Sequence, residues 1–452
     1  MKRKIFGTDG IRGPANLYPM VSEVALVLGR AIAYQARKRS KRPRIIVGKD
    51  TRLSCYMIES AIVSGICSMG ADALMTGPIP TPGIAHLTVD MRCDAGVMIT
   101  ASHNPYEDNG LKVFGPDGFK LSDKEEFEIE QYILEHYTTD KFVSPDDDSY
   151  PVKDLIGKAI KLEDARGRYI AHVKSVFPKN MDLTGMKIAL DCANGAAYKV
   201  APAILEELGA EVFVMSDKPN GTNINDFCGA INPQAVANFA ATQKCDIGIA
   251  LDGDADRVVI TDGECNVLDG DVLLAHLASE YLNQPNMVAT TMSNAGLVEF
   301  LSQRGGSVVR SKVGDRYVID RMREENIMFG GENSGHIIFF DHSTTGDGMV
   351  AALKLLELLK KNNKTVLDLS EEIKMYPQIM VNVEVKDKRP LKDAIELQKT
   401  IQEVYNIIGP TGRLLVRYSG TEPKLRIMVE YKDEGLARDL AERIADVAKT
   451  TL

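Results

Sequence analysis

The segment RIIVGKD, residues 44–50, sets a short apolar run between a basic residue and a Lys-Asp exit. A run of that length and composition reads as a strand buried on both faces. It leads into SCYMIESAIVSGICSMGA (54–71), where apolar residues recur at helical spacing, and then into ADALMTG (71–77), a second short apolar run. Strand, helix and strand in that order are the unit of a parallel α/β layer. The order recurs twice. MKIALDCANGAA (186–197), KVAPAILEELGA (199–210) and EVFVMS (211–216) make one unit, and NMVATTMSN (286–294), AGLVEFLSQRGG (295–306) and SVVRSK (307–312) make another. Three such units predict an α/β protein with three domains of one kind, although residue identity between them is too weak to establish duplication.

The composition agrees with this layout. The chain has 452 residues, enough for three or four domains, and its 44% apolar and 26% charged content is that of a soluble globular protein. No apolar stretch approaches the roughly 18 residues of a membrane span, and the N-terminus MKRKIFGTDG has no apolar core of a signal peptide. A cytoplasmic protein without a membrane partner is the expectation. Seven scattered cysteines, with no C-x-x-C pair, read as reduced packing thiols. A net charge of −9 argues against nucleic acid as a partner. The six basic residues of ARKRSKRPR (36–44) fit a solvated helix C-terminus.

The acidic, Pro-bearing stretch SPDDDSYPVKD (144–154) suits a linker. In YPQIMVNVEVKDKRP (376–390) the pattern switches to period two, and strands and helices follow in an order that predicts a small α+β domain. The expected division is 1–155, 156–258, 259–372 and 373–452.

Ligands of α/β sheets collect at the carboxyl ends of the strands, and the loops there carry unusual residues. In LDGDADR (251–257), Asp252, Asp254 and Asp256 alternate, so an extended backbone aims three carboxylates the same way. Such anions repel unless a cation sits between them, and oxygen-only ligands favour Mg²⁺ or Ca²⁺ over zinc. An EF-hand is excluded, since Arg257 and Gly263 occupy its sixth and twelfth positions. In TASHNPYEDNG (100–110), Asn104-Pro105 is turn chemistry, while Ser102 and His103 leave open a plain turn or a reactive serine. FGGENSGHIIF (329–339) offers Glu332, Asn333, Ser334 and His336, groups that read sugar hydroxyls, with His336 able to move a proton. VRYSGTEPKLR (416–426) combines Arg417, Ser419, Gly420, Thr421 and Arg426, a phosphate-binding set. FGTDGIRG (6–13) places Arg12 between glycines. GDGMVA (346–351) mimics a dinucleotide fingerprint, but no strand pattern precedes it, and no G-x-x-x-x-G-K-[ST] occurs. Taken together, the loops point to Mg²⁺-assisted phosphoryl transfer on a sugar monophosphate.

TASHNP, DGDADR, GGENSGH and RYSGTEP, in that order along the whole chain, resemble the α-D-phosphohexomutase superfamily. FGTDGIRG, GPIPTP (77–82), VGDRYV (313–318) and TTGDG (344–348) are most similar to its bacterial glucosamine-phosphate branch, although Asn333 and Ala255 stand where that branch often has Gln and Gly. The resemblance implies three related α/β domains and a TATA-binding-protein-like C-terminal domain around one cleft. It implies interconversion of glucosamine 6-phosphate and glucosamine 1-phosphate, on the route to UDP-N-acetylglucosamine and peptidoglycan. Ser102 would be the phosphoserine, and it would hold Mg²⁺ with Asp252, Asp254 and Asp256. His103, Lys112, Arg12 and Arg257 would flank the phosphoryl group. Glu332 and Ser334 would bind sugar hydroxyls, with His336 as the proton carrier. Arg417, Ser419, Gly420, Thr421 and Arg426 would grip the phosphate that is not reacting. Glucosamine 1,6-bisphosphate or glucose 1,6-bisphosphate would serve as intermediate or activator, and a homodimer is the expected assembly. The alternatives are a phosphomannomutase/phosphoglucomutase of the same superfamily, or a non-catalytic phosphosugar- or metal-binding protein.

Overall fold

A computed structural model describes residues 4–7, 9–137, 155–385, 388–419 and 423–452. The expected linker at 144–154 lies outside them. Three mixed α/β sheets and one antiparallel sheet make up the fold.

The first sheet centres on Arg44–Lys49, which pairs in parallel with Asp72–Pro78 on one side and Ala95–Ile99 on the other. Asp108–Phe114 returns antiparallel beside Ala95–Ile99. The helices Cys55–Ser68 and Thr81–Asp90 make the two crossovers. The second sheet repeats the plan. Lys187–Asp191 lies between Glu211–Met215 and Ile247–Leu251, all parallel, and Val258–Asp262 returns antiparallel. In the third, Asn286–Thr290 lies between Ser307–Ser311 and Phe329–Gly331, and Ile337–Phe339 returns antiparallel. Each unit thus runs strand, helix, strand, helix, strand and hairpin return: the periodicity of the sequence predicts the opening strand–helix–strand, and the antiparallel return is added by the structure. The central strands are buried almost throughout, as double-sided coverage by helices requires.

One consequence fixes the site. The hairpin between the third and fourth strands of each unit carries the serine loop (100–107), the aspartate loop (252–257) and the ENSGH loop (332–336), respectively. Three chemically distinct loops occupy one topological position.

The first sheet gains two edge strands, Ile11–Pro14 and Ala159–Lys161. The second pairs in parallel with Asp72–Pro78, and Ala73 N–H and Leu162 N–H extend the ladder to Lys158 O and Met75 O, each at 2.8 Å. The chain therefore returns to the first sheet after residue 155, where the second domain was expected to begin.

The C-terminal sheet has the order Gln378–Glu384, Lys424–Glu430, Arg413–Tyr418, covered by the helices Ile395–Ile408 and Glu434–Thr451. Its apolar cluster, including Val383, Leu397, Ile427 and Ile444, is separate. The main core instead runs continuously through the three α/β units, from Ile46 and Met98 through Leu190 and Ile249 to Ala289 and Phe329. Among the described residues no helix is long and apolar enough to cross a membrane. All seven cysteines are free thiols. GDGMVA opens the helix Gly348–Asn362, with Asp347 capping Met349 N–H and Val350 N–H, and the strand before it, Ile337–Phe339, is an antiparallel edge strand eight residues away rather than the parallel strand a dinucleotide fold would need.

Candidate active site

Ser102 leaves the strand Ala95–Ile99 with φ of 52°, in the left-handed region that non-glycine residues seldom adopt. This conformation is held by several contacts. Thr100 Oγ1 accepts Ser102 N–H at 2.9 Å. Arg52, wholly buried, donates to the carbonyls of Ser102 (2.9 Å), Asn104 (2.8 Å), Asp108 (3.1 Å) and Pro105, while its Nε donates to Asp50 Oδ2. Asn225 Nδ2 donates to the carbonyls of Ser102 and Asn104 at 2.9 and 3.1 Å. The hydroxyl of Ser102 is thereby turned towards the second unit, where it donates to Asp252 Oδ2 at 2.6 Å. His103 Nδ1 lies 3.3 Å from the same Oγ.

Asp252, Asp254 and Asp256 are all buried, and their ligand oxygens lie within 4.8 Å of one another. Asp254 Oδ1 and Asp256 Oδ1 are buried without a hydrogen-bond partner, a costly arrangement unless a cation meets them. Burial, then the charges of Asp256 and Asp254, push the Asp252 carboxyl well above the usual carboxylate range. Burial acts the same way on Asp256, but Lys112 and His336 outweigh it and hold that carboxyl well below. Two orphaned oxygens and a crowded third carboxylate are a donor set that fits a hard divalent cation.

Cations surround this cluster. Lys112 Nζ, on the strand Asp108–Phe114, contacts Asp254 Oδ2 at 2.9 Å and Asp256 Oδ2 at 3.0 Å. Burial disfavours its charge, but Asp254, Asp256 and Asp9 prevail and raise its pKa well above the ordinary lysine value. Arg12 pairs with Asp9, and its Nε is buried without a partner. The backbone N–H of Arg257 donates to Asp252 Oδ1 at 3.2 Å, and its side-chain Nε, 4.0 Å from Asp256 Oδ1, is likewise buried without a hydrogen bond. Two guanidinium donors near Ser102 and the aspartates are thus available to an anion.

In the third unit Glu332 is buried and its Oε1 accepts Gly314 N–H at 2.9 Å, while Ser334 is exposed. His336 is 2% exposed. Its Nδ1 sits 3.6 Å from Asp256 Oδ1, and its Nε2 accepts Gly346 N–H at 3.2 Å. Both nitrogens therefore lie against protein groups, with the ring beside Asp256. His103 is half-buried beside Ser102 Oγ, and burial followed by the charges of Arg257 and Arg12 lowers its pKa, which keeps it neutral.

In the C-terminal domain Arg417 and Arg426 are directly opposed across two antiparallel strands. Like charges so placed repel and favour an anion between them. Ser419 is buried, and Lys388 Nζ donates to its carbonyl at 2.7 Å. Gly420 and Thr421 lie outside the described residues.

Four phosphoglucomutase/phosphomannomutase domain families match the chain: alpha/beta/alpha domain I over 3–140, domain II over 167–265, domain III over 269–376, and the C-terminal domain over 380–447. A phosphoglucosamine mutase of Syntrophotalea carbinolica is 50% identical over 458 residues, covering 100% of this chain and 98% of that protein. The chain belongs to the phosphohexomutases, in their phosphoglucosamine mutase family. Solved phosphohexomutase structures share its fold. A phosphoglucomutase/phosphomannomutase family protein of Burkholderia thailandensis is similar with a TM-score of 0.79 at 22% identity, covering 99% of this chain and 97% of the other. The N-acetylphosphoglucosamine mutase of Aspergillus fumigatus, in complex with GlcNAc-6P and magnesium, is similar at 0.64 and 18%, covering 100% and 96%.

Several residues of this phosphohexomutase site escape a motif reading. Arg52 and Asn225 act on backbone carbonyls, and Lys120 bridges Asp9 and Asp315 between the first and third units. The resemblance motifs take on physical content here. Thr81 of GPIPTP donates through its hydroxyl to Asp254 Oδ2. Arg316 of VGDRYV donates to Glu126 and to Leu121 O (2.7 Å), joining the third unit to the first. Asp347 of TTGDG accepts the Tyr169 hydroxyl at 3.0 Å.

Proposed function

We infer that this protein is a phosphoglucosamine mutase, an isomerase that interconverts glucosamine 6-phosphate and glucosamine 1-phosphate through phospho-Ser102 and a 1,6-bisphosphate. The observation that carries the reading is the convergence of Ser102 Oγ on Asp252 Oδ2 at 2.6 Å, inside a ring of three buried carboxylates. The expected four-part division of the chain goes with it, each of the first three parts contributing one loop.

Asp252, Asp254 and Asp256 would hold Mg²⁺, which supplies positive charge against the phosphoryl oxygens. Arg12 and Arg257 meet the transferring group with Nε donors that make no hydrogen bond within the protein. Lys112 neutralises Asp254 and Asp256, so the phosphoryl group does not face bare carboxylates. Glu332 and Ser334 orient the sugar. The free sugar hydroxyl attacks phosphorus, the bond to Ser102 Oγ breaks, and the hydroxyl proton passes to Oγ with His103 in reach of that atom. The bisphosphate then turns end for end, and its other phosphate returns to Ser102 in the reverse of the same step. Arg417, Ser419, Gly420, Thr421 and Arg426 grip the idle phosphate in either orientation.

Intact-protein mass spectrometry tests the carrier: the wild type shows a fraction heavier by one phosphoryl group, absent in Ser102→Ala. That variant loses at least about 10⁴-fold in kcat. Normal turnover by Ser102→Ala would end the reading. Values of kcat/KM for glucosamine, mannose and glucose phosphates, measured side by side, test the sugar, and a preference for mannose phosphate would move the protein to the phosphomannomutase alternative.

A further inference from the structure

The carbonyl oxygen of Ser102 accepts two donors from two different units of the fold. Arg52 reaches it from the first, and Asn225 Nδ2 reaches it from the second at 2.9 Å. Asn225 is 5% exposed and sits at φ of 58°. Its own N–H donates to Ala193 O at 2.9 Å, just beyond the strand Lys187–Asp191, so the amide is anchored to the sheet that carries the aspartate loop. Its Oδ1 is buried with no hydrogen-bond partner. Turning the amide over would satisfy neither carbonyl, so the two carbonyls of the serine loop dictate its orientation, and the orphaned oxygen is the cost of serving them.

Gly253 completes the junction. A Cβ there would stand 2.5 Å from Ser102 O and 2.9 Å from Asn225 Nδ2, so only glycine lets the aspartate loop come this close. Main chain of the two loops thus comes into close contact, and the Asn225 side chain of the second unit grips the carbonyls of the first unit's serine turn. The hydroxyl of Ser102 reaches from the same turn to Asp252 Oδ2.

We propose that Asn225 is a positioning residue for phosphoryl transfer: it fixes the left-handed turn at Ser102 relative to the aspartate loop and so sets the distance between the phosphoryl carrier and the carboxylates. This rests on Ser102 being the carrier. Asn225 touches neither the sugar nor the reacting atoms, so its loss acts on the chemical step and leaves ground-state binding alone.

The test uses the full-length enzyme and two variants. Asn225→Gly keeps a residue suited to positive φ while deleting both donors, and Asn225→Asp keeps the shape but opposes two carbonyls with a carboxylate. Each phosphorylated protein is mixed with glucosamine 1-phosphate, and loss of label from the protein is followed in a single turnover. The expected result is transfer slowed by about 10- to 100-fold in both variants, with KM within about twofold of wild type. Amide hydrogen exchange across 100–107 should speed up in both, while exchange in the strand Lys187–Asp191 stays unchanged. Wild-type transfer rates in both variants would overturn the proposal, as would a kcat deficit accounted for by a smaller phosphorylated fraction. If the wild type transferred no phosphate to any hexose phosphate, the functional reading would fall. The exchange data would still decide whether Asn225 holds the turn.

Discussion

Lys112 shows how much of the site depends on neutralisation of buried charge. Its ammonium bridges Asp254 and Asp256 in a setting that excludes water. Breaking a buried pair from one side costs about 3–5 kcal/mol, equivalent to at least about 100-fold if expressed in the transition state. Lys112→Met should therefore lower kcat by at least that factor, and its metal-free melting temperature should fall and partly recover on titration with Mg²⁺. A metal-free melting curve unchanged from wild type would contradict the assignment. Gly346 offers a second test. A Cβ there would lie 2.5–2.7 Å from three ring atoms of His336, so Gly346→Ala pushes the imidazole off Asp256. A loss of about tenfold in kcat is expected, matching the 1–3 kcal/mol of overpacking, and His336→Gln, which keeps a polar group beside Asp256, should lose less. Steady-state kinetics of the pair decide it. Legibility in the sequence follows the same physics. The aspartates stand out because three alternating acids demand a counter-charge. Arg52 and Asn225 do not, because donors to main-chain carbonyls leave no pattern between distant positions. His336 has the right residue type for proton transfer, and its burial beside Asp256 and the Gly346 N–H is visible only in the fold.

Among the elements, the helices Thr81–Asp90 and Ala165–Ser175 meet through a contact that no periodicity foretells. His86 and His172 stack with ring centroids 3.7 Å apart and planes 14° apart. Burial, then the neighbouring His172, lowers the His86 pKa from 6.5 to about 4. Above pH 6.5 the ring is neutral whether the chain is folded or not, and its contribution is fully present. Between 6.5 and about 4 the unfolded chain takes up a proton that the fold refuses, so stability falls as pH falls through that window. Thermal melts from pH 7 to pH 4.5 should show the drop, and His86→Phe, which can still stack, should show a shallower one. Equal slopes would refute this role for the pair. The strand–helix–strand units themselves were readable because double-sided burial forces continuous apolar runs. The strand Ala159–Lys161 was not, since all three of its residues are exposed and it joins the sheet by backbone pairing alone.

At the scale of the whole molecule, the C-terminal domain has its own core and is seated on the third unit by a small set of polar contacts. Glu430, fully buried, accepts Ala295 N–H at 2.6 Å and pairs with Arg413 Nη1 at 3.1 Å. Arg413 also donates to the carbonyls of Thr291 and Ser293, and Asn294 exchanges two 2.9 Å hydrogen bonds with the backbone of Tyr376. Such a seat governs how firmly the bisphosphate is retained while it turns. Glu430→Ala should speed proteolysis near 374–378 and make turnover depend more steeply on added glucose 1,6-bisphosphate, because more intermediate escapes. A bisphosphate dependence equal to wild type would speak against it. The α+β character of this domain was legible from its period-two strands, but its seat was not, since it joins residues 82 to 135 positions apart. The strand Ala159–Lys161 carries a last consequence, for the order in which the protein is made. A nascent chain that has emerged only as far as residue 155 holds the first sheet with the outer edge of Asp72–Pro78 still unpaired, a template for the wrong neighbour. A few more residues close that edge, so a fragment ending at 155 should aggregate faster than one ending at 163.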